Sequence, residues 1–201
     1  MIRRRPLLGA TALCAALTLA ACTNSPEAGL PATTPPSSSA TPTPTSPSTP
    51  TWTDEQLAAI AAARTRYTAA RAAVEKALRD PRQISKEPLE KAGNGGAWLT
   101  SVIGQIRFQR EQGWYLSGTM KTTPISVLSA NLELQQPEVR LSNCVDSSGA
   151  KTLYRATGKP VPLEGGDGNR RKFASRIVLA PPAEGGAKTW FLIEDKAVGP
   201  C

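Results

Sequence analysis

Apolar and polar positions along this 201-residue chain fall into four successive regimes. Behind Arg3, Arg4 and Arg5, a run from about Leu7 to Ala21 is almost wholly apolar. Residues 23–51 then set eight prolines among serines and threonines, with Glu27 the only charge. From Leu57 the apolar positions recur at spacings of three and four, which is the period of a helix with one buried face. From Trp114 they recur at every second position, which is the period of a strand.

The helical regime opens with a capping signature. Thr53 is followed three residues later by Gln56, and Asp54 and Glu55 occupy the first turn, where the helix dipole favours negative charge. Trp52 and Leu57 flank this box as a predicted hydrophobic staple. Leu57, Ile60, Ala63, Tyr67, Ala70, Val74, Ala77 and Leu78 form the apolar stripe, while Arg64, Arg66, Arg71, Glu75 and Arg79 fall mostly off it. The pattern predicts one long helix over about 53–79, ended by Pro81. A short helical turn follows near Pro88-Leu89-Glu90-Lys91, then Gly93-Asn94-Gly95-Gly96, read as a flexible loop because it lacks the Gly-Lys-Ser/Thr ending of a phosphate cradle. A second helix is predicted from about Ala97 to Gln112, with Trp98, Leu99, Val102, Ile103 and Ile106 on its apolar face and Gly113 as its cap.

Strands are predicted at 114–120, 124–134, 137–146, 151–156, 171–180 and 187–195, separated by turn signals such as Asp146-Ser147-Ser148-Gly149 and Glu184-Gly185-Gly186. Short strands with short turns imply an antiparallel sheet, and the apolar stripes of the helices require a sheet to pack on. The fold class is therefore α+β: a long N-terminal helix plus shorter helices on a curved antiparallel sheet. The organisation reads as a signal at 1–22, a disordered Pro/Ser/Thr-rich linker at 23–51 and one globular domain at 52–201. About 150 residues suffice for a single core.

The first regime has the parts of an export signal, and fifteen residues broken by Gly9, Thr11 and Thr18 are too few to span a bilayer. Leu19-Ala20-Ala21-Cys22 resembles, position by position, the lipobox of bacterial lipoproteins. The resemblance implies cleavage before Cys22, a diacylglyceryl group with or without a further palmitate-type chain on that cysteine, and a cell-membrane anchor on the extracytoplasmic face. Two or more acyl chains hold a protein to a membrane stably. Arg4-Arg5-Pro6-Leu7-Leu8 also resembles a twin-arginine export motif, and Thr41-Pro42-Thr43-Pro44-Thr45 resembles O-glycosylated stalks.

Charge and cysteine usage narrow the chemistry. The formal charge of +8 loses three arginines and no acid with the signal, leaving +5 spread along the mature chain. No stretch interleaves bases with aromatics, so no nucleic-acid partner is called for, while a weak preference for anionic envelope polymers or lipid headgroups fits the charge. With Cys14 in the signal and Cys22 acylated, Cys144 and Cys201 remain. A disulfide between them is the natural reading outside the cytoplasm, against two buried thiols or a redox pair. Histidine is absent, which excludes Ser-His-Asp and Cys-His catalysis and His-ligated zinc. No metal, cofactor or catalytic constellation is assigned.

The order of elements, with Gly113-Trp114, Val139-Arg140-Leu141-Ser142-Asn143-Cys144-Val145-Asp146, Thr157-Gly158-Lys159-Pro160 and Lys188-Thr189-Trp190-Phe191, resembles the NTF2-like (cystatin-like) cone-shaped superfamily. Within it the mature chain is similar to uncharacterised actinobacterial lipoproteins. Enzymes of that superfamily place acid/base groups inside the cone, which makes Asp146 a candidate base, though its place beside a turn suits turn capping better. The leading expectation is a non-enzymatic binding or scaffolding module of the envelope, with an envelope protein or a small hydrophobic ligand as partner. Capture of a small hydrophobic ligand, with Tyr67, Trp98 and Ile106 as candidate lining residues, and a cofactor-free isomerase, dehydratase or cyclase are the alternatives. Arg170-Arg171-Lys172 reads as a solvated strand edge that discourages pairing.

Overall fold

The computed structural model describes residues 51–83, 85–163, 169–183 and 185–201. The signal predicted at 1–22, with Leu19, Ala20, Ala21 and Cys22, and residues 23–50 of the predicted linker lie outside them.

Helix α1 (Asp54–Arg79) starts where the capping box places it. Thr53 Oγ1 accepts from Gln56 N at 3.2 Å and Gln56 Oε1 accepts from Thr53 N at 3.0 Å. The Gln56 side chain does a second job, donating through Nε2 to Ala130 O at 3.0 Å and so fixing the helix start to a strand. Ile60, Ala63, Tyr67, Ala70, Val74 and Leu78 are buried, as the period requires. The staple is not made as predicted: Trp52 packs on the core, but Leu57 is 49% exposed and the buried stripe starts one turn later. Pro81 disfavours helical backbone at Asp80, which caps the helix with φ −133°.

Helices α2 (Lys86–Lys91) and α3 (Gly96–Glu111) follow, and Gly113 with φ 67° closes α3 in the left-handed region that glycine adopts freely. Six strands come next: β1 (Trp114–Gly118), β2 (Lys121–Asn131), β3 (Glu138–Asp146), β4 (Ala150–Tyr154), β5 (Arg170–Ala180) and β6 (Thr189–Pro200). The architecture is α+β, with antiparallel strands throughout and, among the described residues, no closed barrel. The strands form two sheets rather than one: β1 pairs with β4, and the other four lie in the order β2-β3-β5-β6. The division falls at Gly118, whose φ of 81° ends the predicted 114–120 strand early; a Cβ there would sit 2.0 Å from Gly149 O. Pro124 lies at a register shift of β2, an edge strand, where a missing N–H is tolerated.

Residues Val139, Leu141, Asn143 and Val145 of β3 face the helices, with Ile177 and Ser175 beside them on β5. One core cluster joins Ile60, Ala63, Tyr67 and Ala70 to Ala130, Val139, Leu141, Ile177 and Leu192. A second joins Val74, Leu78, Leu89, Leu99, Val102, Ile106 and Leu116, and Trp98 packs against both. On the outer side of the sheet, Cys144 and the C-terminal Cys201 are bonded, with Cα atoms 5.9 Å apart across 57 residues. A link of that span stabilises by roughly 4 kcal/mol in the chain-entropy account.

Two sequence readings are corrected here. Arg170-Arg171-Lys172 opens an interior strand, not an edge: Lys172 stands between Cys144 and Gly199 in the ladder. Gly93-Asn94-Gly95-Gly96 is not a free loop. Gly95 N donates to Leu192 O at 2.9 Å and Leu192 N to Gly93 O at 2.7 Å, so the segment docks on β6 as a parallel bridge. Its glycines permit that approach: Gly93 has φ 101°, and a Cβ on it would fall 2.0 Å from Arg66 Cδ.

Candidate functional site

Five polar side chains meet between α1 and the inner face of the four-stranded sheet. Tyr67 and Arg71 are one helical turn apart on α1 and therefore share a face. Asn143 comes from β3, Ser175 from β5 and Asp195 from β6, where Asp195 is the register partner of Ser175. Arg71 Nη1 donates to Asp195 Oδ2 at 2.9 Å, Ser175 Oγ donates to Asp195 Oδ1 at 2.7 Å, and Asn143 Nδ2 donates to Ser175 Oγ at 3.2 Å. The Arg71 guanidinium also stands 5.3 Å from the Phe173 ring centre and 6.0 Å from that of Trp98.

Burial governs the titration of this cluster. The Asp195 carboxylate has no exposed surface, and that desolvation pushes its pKa above the ordinary value, against the opposing pull of Arg71 and Ser175. Burial, aided by the charge of Asp195, pushes the Tyr67 hydroxyl up to about 12, so it is protonated at neutral pH. Ser175 and Asn143 lie beside that hydroxyl, yet neither meets it with hydrogen-bond geometry, and Asn143 Oδ1 is likewise unpartnered.

A second network abuts the first through Trp98. Asn94 is fully buried; its Nδ2 donates to Ala70 O at 3.1 Å and Leu89 O at 3.0 Å, and its Oδ1 accepts from Trp98 Nε1 at 2.8 Å. This single amide ties α1, α2 and α3 together.

Open space near the Arg71 cluster is small. A cavity of about 270 Å³ is lined by Tyr67, Arg71, Glu75, Met120, Thr122 and Ile125 among others. Larger hollows of about 360 and 570 Å³ lie away from it, where α2 meets the β5–β6 connection, and share Glu90, Ala183 and Phe191. Among the described residues, no three His, Cys, Asp or Glu side chains group as metal ligands, and no helix is long and apolar enough to cross a membrane.

The structure distributes the sequence candidates unevenly. Tyr67 is in the cluster and Trp98 touches it through Arg71, whereas Ile106 is buried in the second core among Val102, Leu99 and Leu116. Asp146 is not a buried base. It sits at the end of β3, where its Oδ1 accepts from Ser148 N at 2.9 Å, and that bond holds its carboxyl below the usual range. Arg71, Asn143, Ser175 and Asp195 were not predicted as a site. Asn143 was legible in principle, as the one polar side chain in the alternating Val139, Leu141, Asn143, Val145 series. Asp195 was not, because a register shift between Arg176 and Ile177 puts Leu192 and Asp195 on the same face three residues apart, where strict alternation would place Glu194.

No family model matches this chain, and no curated protein matches it. Among solved structures it is similar to the intermembrane space region of the chloroplast protein ARC6, at 13% identity over 68% of this chain and 96% of that one, with a TM-score of 0.46. A likeness that distant carries no functional argument.

Proposed function

We propose that this is a lipid-anchored extracytoplasmic protein of the NTF2-like kind, whose folded domain is a non-enzymatic binding or scaffolding module of the cell envelope. Support for the anchor comes from Leu19-Ala20-Ala21-Cys22 and the proline-rich stretch behind it, and the Cys144–Cys201 bond suits an oxidising compartment. The observation that carries the non-enzymatic reading is the state of Asp195. A general base must present a free lone pair to a substrate proton. Asp195 is fully covered, with one oxygen held by Arg71 and the other by Ser175. Glu138, the other well-buried carboxylate among the described residues, is likewise engaged by Arg140 at 2.6 Å and by Arg176.

Capture of a hydrophobic ligand has less support. The inner sheet face is filled by Leu141, Ile177 and Leu192, each with no exposed surface, and the adjoining 270 Å³ is below the range of about 300–1,000 Å³ usual for ligand pockets. Thermal unfolding in the presence of fatty acids, isoprenols and sterols is expected to leave the midpoint where it is in buffer. A rise of more than about 3 °C with any of them, the signature of a ligand bound well below its concentration, would replace the module reading with ligand capture.

A further inference from the structure

We infer that the outer face of the four-stranded sheet, at the end bearing the disulfide, is a docking surface for an anionic membrane. Residues directly opposite in an antiparallel ladder point to the same face. Val139, Leu141, Asn143 and Val145 point inward, so Glu138, Arg140, Ser142, Cys144 and Asp146 point outward, together with Arg170, Lys172, Ala174 and Arg176 of β5. The neighbours extend these rows: Lys121 and Thr123 on β2, and Glu194 and Lys196 on β6.

Charge on this face is segregated along the strands. At one end Arg140 and Arg176 share Glu138, and Glu194 stands opposite Arg176 in the ladder, so two acids balance the two bases. At the other end stand Lys121, Arg170, Lys172 and Lys196, all exposed, and among the described residues none of them is ion-paired. Among the described residues Asp146 is the one side-chain carboxylate in their midst, and its Oδ1 is occupied by the Ser148 amide. With strands about 4.8 Å apart and alternate residues about 7 Å apart, the four cations span a patch roughly 14 Å on a side.

The shape of the patch selects the partner. Between the cations lie short side chains, Thr123, Ser126, Ser142 and Ala174, and none of the four cations lines a cavity described above. A flat array of positive charge without a pocket fits a planar array of headgroup phosphates better than a single enclosed anion. The choice of a membrane over a soluble polyanion rests on the proposed anchor at Cys22, which would hold the domain beside a bilayer. The 29 residues from 23 to 51 have a contour of up to about 90 Å at about 3.1 Å per residue. That length exceeds the roughly 30 Å of strand between the patch and Ala130, the point to which the start of α1 is bonded. The tether therefore allows the patch to face the membrane, and high local concentration makes even weak attraction effective.

The test removes the anchor. A chain from residue 22 onward carrying Cys22→Ala is sedimented with vesicles of equal parts phosphatidylglycerol and phosphatidylcholine, or of phosphatidylcholine alone. It is expected to bind only the anionic vesicles, to lose that binding as salt is raised, and to bind at least about tenfold more weakly when Lys172→Glu and Lys196→Glu are combined. A control with the same change in charge on the helices, Lys76→Glu with Arg107→Glu, is expected to retain most of the binding. Equal loss in both pairs, or no preference for anionic vesicles, overturns the surface. Tighter binding to soluble polyphosphate than to the vesicles overturns the membrane as its partner. Because the chain tested has no acyl group, failure here leaves the anchor standing, and failure of the anchor leaves the vesicle result interpretable.

Discussion

Replacing Arg71 with methionine is expected to lower the unfolding free energy by about 3 kcal/mol at neutral pH, with a loss that shrinks as the pH falls. Methionine retains much of the arginine stem and removes the charge. It leaves Asp195, whose carboxylate has no exposed surface, with Ser175 as its one hydrogen-bond donor. Breaking a buried ion pair from one side costs about 3–5 kcal/mol because the remaining charge is uncompensated, and the lower end suits an arginine that retains some exposure. The pH dependence has a definite sign. The pKa of Asp195 in the folded chain already lies above the model-compound value of 3.8, and removing Arg71, which pulls it down, raises it further. The folded state therefore holds this proton more tightly than the unfolded chain does. Its contribution is most favourable below about 3.8 and declines as the pH rises through the folded value. Urea titrations of both proteins across this range, compared as a difference, isolate the effect from carboxyls such as Asp146, which are held low and act in the opposite direction. A deficit that stays constant with pH would show that Asp195 is not the group left uncompensated. Adding Asp195→Leu to Arg71→Met is expected to recover part of the loss, since an apolar pair of similar volume is often tolerated where a lone charge is not.

The second large effect is expected at Asn94. Asn94→Ala removes two donors and one acceptor from a site with no exposed surface and leaves the Trp98 Nε1 proton and part of the Leu89 and Ala70 carbonyl capacity unmet. Each unmet buried group costs about 1–3 kcal/mol, so a total near 3 kcal/mol and a fall of about 10 °C in Tm are expected. Hydrogen exchange gives the local readout. The Gly95 and Leu192 amides, which close the parallel bridge, are expected to exchange faster relative to the β3–β5 ladder in the variant. A loss below about 0.5 kcal/mol, typical of surface positions, would mean the segment is the loose loop that its glycines suggest.

These two positions also mark where the chain was readable. α1 was legible from end to end, because a capping box, an unbroken period and a terminal proline are all local signals. The α+β class followed from the change of period at Gly113. Reading failed where tertiary partners overrode residue type. Arg66 and Arg71 fall mostly off the apolar stripe, and the period names no partner for them, yet both reach β6, to Thr189 and Asp195. The glycines around Asn94 signal freedom in isolation, and here they permit close contact with Arg66 and Phe191. Asp195 was concealed by a register shift, which no count of alternating residues reveals. Asp146 was a candidate only through the superfamily resemblance, and its bond to Ser148 N serves the turn, as its position beside that turn suggested.

The same observations bear on the module reading. The polar groups inside the fold are engaged chiefly with one another, and the open sheet face carries the four cations of the proposed docking surface. Location then becomes the property on which the whole account turns. Intact-mass measurement of the chain purified from the membranes of an acylating bacterial host addresses it most directly. The expected result is a chain beginning at Cys22 with the added mass of a diacylglyceryl group, with or without a further acyl chain. A mature chain that begins elsewhere, or one that begins at Cys22 with no added lipid, would contradict it.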